Sequence, residues 1–299
     1  MGSSEPYVVV GLGEVLWDLL PDGKQLGGAP ANFTYHAQTL GARGVLVSAV
    51  GDDAAGAEIL ETLAHHGIDT GHVVRDKAHP TGTVSVDVDD AGIPAYTIHE
   101  EVAWDYLSFS ESSATLAGDA DAICFGSLAS RNPHSRECIR RFLASAMPGC
   151  LRVFDVNLRQ HYYDRDVIQT LLDHAEVLKL NEDELPVITE LLHISGSTKE
   201  RMETLLERFA LDAIALTRGA RGSVLLTPNH LEVHQGVRVG TLADTVGAGD
   251  AFTAMVVTGL LNEWPLDEIS ERANQLAAHV CAHYGAMAPH PAGIGAPVY

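Results

Sequence analysis

Short apolar runs alternate along the chain with longer stretches in which apolar residues return every three or four positions. This alternation predicts parallel strands joined by crossover helices. The runs Tyr7 to Gly11, Val45 to Val50, Ala122 to Phe125, Arg152 to Val156, Val177 to Leu180, Ala213 to Thr217 and Ser223 to Leu226 have strand length and strand composition. Helix boundaries between them are marked chemically. Pro30 stands in a first turn and Gly41 at the left-handed position that closes a helix, while Asp52 or Asp53 opens the next helix and Gly67 closes it. Residues 82–98 depart from the alternation and follow a period of two on both sides of Asp89-Asp90-Ala91-Gly92, which predicts a hairpin. Leu12 to Leu26 is also extended, about a turn at Pro21-Asp22-Gly23. Pairing of the two segments predicts a discontinuous β lid, from about 12–27 and 82–107, on one α/β body spanning 1–299.

Composition narrows the class. The 299 residues are 46% hydrophobic and 20% charged, which fits a folded globular chain with a sizeable core. Forty acidic against 19 basic residues give a net charge of −21, a field that repels phosphate backbones and anionic membrane surfaces. No basic patch offsets it, so neither nucleic acid nor membrane is expected as a partner. Cys124, Cys138, Cys150 and Cys281 form no paired spacing and read as reduced thiols, mostly small buried apolar groups, of a cytoplasmic protein. Glu14 and Asp18 interrupt the first apolar run, and no basic segment precedes it, which argues against a signal peptide.

The chemistry concentrates in two places. Asp244-Thr245-Val246-Gly247-Ala248-Gly249-Asp250 precedes a helical pattern, so a helix begins near Gly247 with a first turn nearly free of side chains. Such an end binds anions through its free NH groups and the helix dipole. Asp250 within that turn would repel an anion, unless its task is to take a proton from a hydroxyl nucleophile; a simple acidic residue at a helix start is the alternative. Near the other end, Gly27-Gly28-Ala29-Pro30-Ala31-Asn32 combines a hinge or close-approach glycine pair with an amide suited to hydroxyl groups, and Asp18 across the hinge adds an acceptor. Asp155-Val156-Asn157-Leu158-Arg159 and Asn181-Glu182-Asp183-Glu184 follow strands and so fall at the sheet edge where open α/β folds bind ligands. Asn181 and Glu184 either share a helix face near a hydrated Mg²⁺ or form a plain cap. Thr217-Arg218-Gly219-Ala220-Arg221-Gly222 is a polar turn with two guanidinium candidates for phosphate. His279 and His283 lack the partners of a metal motif and read as core or surface residues.

In this order the pieces resemble the ribokinase or PfkB family of carbohydrate kinases, over Gly11 to Pro289. The resemblance implies a three-layer, mostly parallel sheet flanked by helices and carrying the small lid. It implies Asp250 as the base, with Gly247, Ala248 and Gly249 forming the anion hole. Asp18, Gly27, Gly28, Asn32 and Arg159 fall to the sugar. Asn181, Thr217, Gly219, Gly222 and Asn274 fall to ATP, and Glu184 to Mg²⁺ through water. Asp244, Val246 and Gly285 match a loop for a monovalent cation such as K⁺, although His283 to Pro289 departs from the family's composition there. Gly13-Glu14, the Gly-Gly-Ala-Pro-Ala-Asn hinge and Asp155-x-Asn157-x-Arg159 are most similar to the fructokinase branch. The implied activity is ATP-dependent phosphorylation of fructose to fructose 6-phosphate. A 2-keto-3-deoxygluconate kinase, a ribokinase and a non-catalytic sugar or nucleotide sensor are the alternatives, and exposed lid strands allow a homodimer.

Overall fold

The computed structural model describes residues 5–20, 23–88, 94–291 and 293–295. Its first half comprises β1 (Val8–Leu12), β2 (Leu16–Leu20), β3 (Gly23–Gly27), α1 (Ala29–Thr39), β4 (Arg43–Gly51), α2 (Ala54–His65), β5 (Val73–Asp76), β6 (Thr83–Val88), β7 (Pro94–Ile98), α3 (Glu111–Asp119), β8 (Ala122–Gly126) and α4 (Pro133–Ala144). There follow β9 (Leu151–Asp155), α5 (Arg165–Leu172), β10 (Val177–Asn181), α6 (Glu184–Leu191), α7 (Thr198–Arg208), β11 (Ala213–Thr217), β12 (Ser223–Leu226), β13 (Leu231–His234), α8 (Ala248–Leu261) and α9 (Leu266–Cys281). All seven expected strands are present, displaced by at most a residue or two at their ends.

Among the described residues nine strands form the main sheet in the order β13-β12-β11-β10-β9-β8-β1-β4-β5, parallel except at β12 and β13. Strands buried on both faces need no polar alternation, which is why Val9-Val10 and Leu46-Val47 read as continuous apolar runs. Leu178, Leu180, Ile214 and Leu216 pack beneath α3–α7, while Val177, Ala213 and Ala215 face α1, α8 and α9. Three layers result. The chain steps from β1 to β4 on one side and to β8 on the other, so a crevice opens at the carboxyl ends of β1 and β8.

The helix punctuation behaves as expected. Asp53 caps α2 by accepting from the Gly56 NH at 2.8 Å, and Gly41 and Gly67 follow α1 and α2 with positive φ. Cys124, Cys138 and Cys150 are buried, and Cys281 is half-buried.

A separate four-stranded sheet has the order β3-β2-β6-β7, with β2 parallel to β6. The expected turns at 21–23 and 89–92 fall wholly or partly outside the described residues. Two boundaries differ from expectation. Leu12 ends β1 in the main sheet, and residues 103–106 form a 3₁₀ turn instead of extending the smaller sheet. The reason is Trp104, which is completely buried in the main core and ties that segment to the body. No helix among the described residues is long and apolar enough to cross a membrane.

Candidate active site

The parallel strands end in polar side chains on one edge: Asp155 on β9, Asn181 on β10 and Thr217 on β11, with Glu14 two residues beyond β1. The N-termini of α1 and α8 converge there. Gly28 caps α1 at φ 108°, and a Cβ on it would lie 2.5 Å from the Glu14 carbonyl oxygen, so glycine alone allows the two segments to meet. Gly27 likewise leaves room for Asp18, whose Oδ2 would lie 2.3 Å from a Cβ at position 27.

Asn32, one turn into α1, is buried and donates from Nδ2 to Asp250 Oδ2 at 2.8 Å. Two residues far apart in sequence are thereby fixed as a pair. Burial pushes the Asp250 carboxyl up to about 6, reinforced by Asp155 and opposed by Lys179, Asn32 and Arg159. Burial also raises Glu14 to about 7 and Asp18 to about 6, and the Arg159 guanidinium opposes both shifts. Arg159 is exposed and stands as the shared countercharge to Glu14, Asp18 and Asp250.

Glu14 Oε2 and Asn32 Oδ1 are buried and have no hydrogen-bond partner among the described residues. Unpaired buried acceptors are costly, and a ligand that donates hydrogen bonds relieves that cost. A polyhydroxyl compound is such a ligand.

The other half of the site is the start of α8. Gly247 caps this helix at φ 80°, and a Cβ there would lie 2.5 Å from the Ala286 carbonyl oxygen. The NH groups of Gly247, Gly249 and Asp250 have no acceptor among the described residues, and that of Ala248 reaches Thr245 O only at 3.4 Å. The helix thus presents several donors and its positive end to an anion. Asp244 organises the approach: Oδ1 accepts from the NH of Thr245 at 2.7 Å and of Val246 at 3.1 Å, and Oδ2 from the NH of Gly285 at 3.3 Å. Asp244, Val246 and Gly285 are therefore brought together.

The expected nucleotide-side residues occupy the same edge in two different ways. Asn181 and Glu184 cap each other across the β10 to α6 junction instead of projecting from one helix face. Asn181 Oδ1 accepts from the Asp183 and Glu184 NH groups, both at 2.9 Å, and Glu184 accepts from the NH groups of Asn181 at 2.8 Å and Leu158 at 2.9 Å. Thr217 and Gly219 lie alongside, at the end of β11. Gly222 is packed so that a Cβ would lie 2.2 Å from the His234 carbonyl oxygen. The two guanidinium candidates have structural partners: Arg218 Nη2 donates to the carbonyls of Arg221, Ser223 and His234, and Arg221 pairs with Glu182. Asn274 is buried in α9, where Nδ2 donates to Ser223 Oγ and to Ser270 O, both at 2.7 Å, so it fastens α9 to β12. His279 is half-buried and His283 exposed, and both bond to backbone carbonyls.

Sequence reasoning passed over Glu14 as a site residue, and also Lys179 and Thr253. Lys179 carried a usable signal, a charged residue inside the apolar run Val177-Leu178-Lys179-Leu180, where a strand buried on both faces tolerates charge only with a partner.

Residues 22–293 match the family model for pfkB family carbohydrate kinases. The chain is 32% identical over 290 residues to the fructokinase of Salmonella typhimurium, covering 93% of this chain and 91% of that protein. Among solved structures, fructokinase from Vibrio cholerae O395 with fructose, ADP and calcium bound superposes with a TM-score of 0.79 at 26% identity, covering 94% of each chain. The sugar kinase PH1459 from Pyrococcus horikoshii in complex with ATP gives 0.79 at 27% identity, again covering 94% of each chain.

Proposed function

The chain belongs to the pfkB family of carbohydrate kinases, and on that premise we propose that it transfers the γ-phosphoryl group of ATP to a hydroxyl of fructose, giving fructose 6-phosphate and ADP. The observation that carries this reading is Asp250: a carboxylate held by Asn32 in the open first turn of α8, beside two buried acceptors that need donors.

In this mechanism the sugar lies between Asn32, Glu14 and Asp18, with its reacting hydroxyl against Asp250. Asp250 takes the hydroxyl proton as the sugar oxygen bonds to the γ-phosphorus and the bond to the β-phosphate oxygen breaks. The proton stays on the Asp250 carboxyl until solvent removes it. The NH groups of Gly247, Ala248 and Gly249 face the charge spread over the oxygens of the transferring group, and such pre-aimed donors lose nothing to reorganisation at the moment of reaction. Mg²⁺, when bound, neutralises charge on the phosphates. Asn181 and Glu184 are the residues that would hold it, and a Glu184 already fixed by two NH groups suits contact through water. Asp244, Val246 and Gly285 are the corresponding candidates for a monovalent cation. The smaller sheet would act as a lid that keeps water from competing as acceptor.

Fructose is favoured over an acidic sugar by the charge around the acceptor position. Glu14, Asp18 and Asp250 all face the guanidinium of Arg159, and Lys179, which also faces Asp250, is already paired with Asp155, which leaves little positive charge for a sugar carboxylate. The test is ADP release over fructose, ribose, glucose, 2-keto-3-deoxygluconate and adenosine with Mg²⁺, with and without K⁺. Fructose is expected to give the highest kcat/KM, by about tenfold or more over the keto acid. Preference for the keto acid or ribose overturns the fructose assignment, and no turnover with any acceptor favours a sensor.

The raised Asp250 carboxyl sets a pH dependence. A base works ionised, so kcat/KM is expected to be full well above pH 6 and to fall as pH drops through about 6. A limb near 4, the range of an ordinary carboxyl, would show that the group in play is not the buried one.

A further inference from the structure

Lys179 is 7% exposed in the middle of β10, on the sheet face that packs against α8. Its ammonium donates to Asp155 Oδ1 at 2.9 Å. Asp155 Oδ2 lies 2.8 Å from the hydroxyl of Thr253, one turn into α8. A Cβ on Gly249 would lie only 3.0 Å from Lys179 Nζ, and Asp155 is not among the atoms it would meet. The ion pair is therefore oriented. Its positive end sits under the first turn of α8, and its negative end is anchored farther along the helix, the same sense as the helix dipole. A buried ion pair contributes little net stability, since well-packed apolar side chains serve as well or better. Its place beneath the anion hole points to a different use.

We propose that Lys179 is a positioning residue for phosphoryl transfer, its ammonium held by Asp155 so as to fix the first turn of α8 and add positive charge beneath the NH groups that meet the transferring group. This rests on the kinase reading. The transition state spreads charge over the equatorial oxygens of that group and moves charge onto the leaving oxygen, an arrangement the ground state lacks, so the contribution falls mainly on kcat and little on KM.

The experiment compares wild type, Lys179→Met and the double variant Asp155→Asn with Lys179→Met, using Mg²⁺, ATP and the sugar the wild type turns over best. The single variant leaves Asp155 buried without its partner and is expected to be the less stable of the two; the double variant removes both charges together. Both are expected to lose kcat on the order of 10²-fold, the scale of one preorganised donor, with KM for sugar changed by less than about threefold. The pH profile adds a second readout. Asp250 is faced by Lys179 and Arg159, which hold its carboxyl down, and by Asp155 and Glu14, while Glu184 also faces Lys179. Loss of Lys179 alone should move the acid limb to higher pH, and loss of Asp155 as well should bring it back toward the wild-type position while kcat stays low. A folded double variant with kcat within about threefold of wild type overturns the inference and leaves the kinase reading standing. Wild type that releases no ADP with any sugar overturns the kinase reading and this inference with it.

Discussion

Asp250→Asn is expected to lower kcat by about 10²-fold to 10⁴-fold, the range for loss of a positioned base, with the fold and sugar binding retained. Asparagine is nearly isosteric with aspartate, and its carbonyl oxygen can still accept from Asn32 Nδ2, so the geometry of the cleft survives while the proton acceptor does not. Stability supplies an internal control. A carboxyl raised to about 6 in the folded protein penalises folding when it is ionised, and the penalty is present above pH 6 and vanishes as pH falls below the unfolded value. At pH 8 the variant should therefore melt no lower than wild type. Equilibrium binding of the sugar the wild type turns over best, measured calorimetrically, should be within a few-fold of wild type. Turnover near the wild-type rate would remove Asp250 from the mechanism, and a melting temperature well below wild type would mean that the lost activity reports damage.

The same residue shows how far a sequence can be read. Asp250 stands out in the sequence because it contradicts its surroundings, an acidic residue in a glycine-rich helix start otherwise suited to anions, and the structure places it in the first turn of α8. The parallel strands were legible because burial on both faces writes itself as unbroken apolar runs. Pairings across the fold were not. Nothing local to Asn181 and Glu184 distinguishes a shared helix face from reciprocal capping, since both use the same spacing and only the backbone at the strand end decides. Asn274 and Arg218 belong to the same class: polar residues in suggestive places whose hydrogen bonds turn out to fasten α9 to β12 and to brace a turn. The end of the smaller sheet was hidden for another reason. Residues 99–107 carry no periodic pattern, and their position is set by Trp104 entering a core built mostly from residues later in the chain. Glu14 was visible as a residue but not as a site, because its significance lies in an unpaired Oε2 that exists only once α1 closes over it.

Gly247→Ala carries the second large effect, and it tests the anion hole without touching the base. At φ 80° a methyl group incurs about 1–2 kcal/mol of left-handed strain. It would also stand 2.5 Å from the oxygen and 2.6 Å from the Cα of Ala286, both backbone atoms. That segment cannot easily yield, because the buried ring of His36 holds it: Nε2 lies 2.9 Å from Ala286 O and Nδ1 lies 2.7 Å from His290 Nε2. With Ala286 pinned, the first turn of α8 must shift, and the NH groups move away from the charge they serve. Removal of one such donor typically lowers kcat by about 10²-fold to 10³-fold, and a loss on the order of 10²-fold is expected here with little change in KM for sugar. The melting temperature should drop by several degrees, about what 2–3 kcal/mol produces in a chain of this size. Gly249→Ala is the informative contrast. Its methyl group would press on a side-chain atom, the Lys179 ammonium at 3.0 Å, rather than on backbone, and Gly249 has no left-handed conformation to strain, so stability should fall less than for Gly247→Ala. Wild-type turnover by a folded Gly247→Ala protein would show that the placement of these NH groups does not limit the reaction.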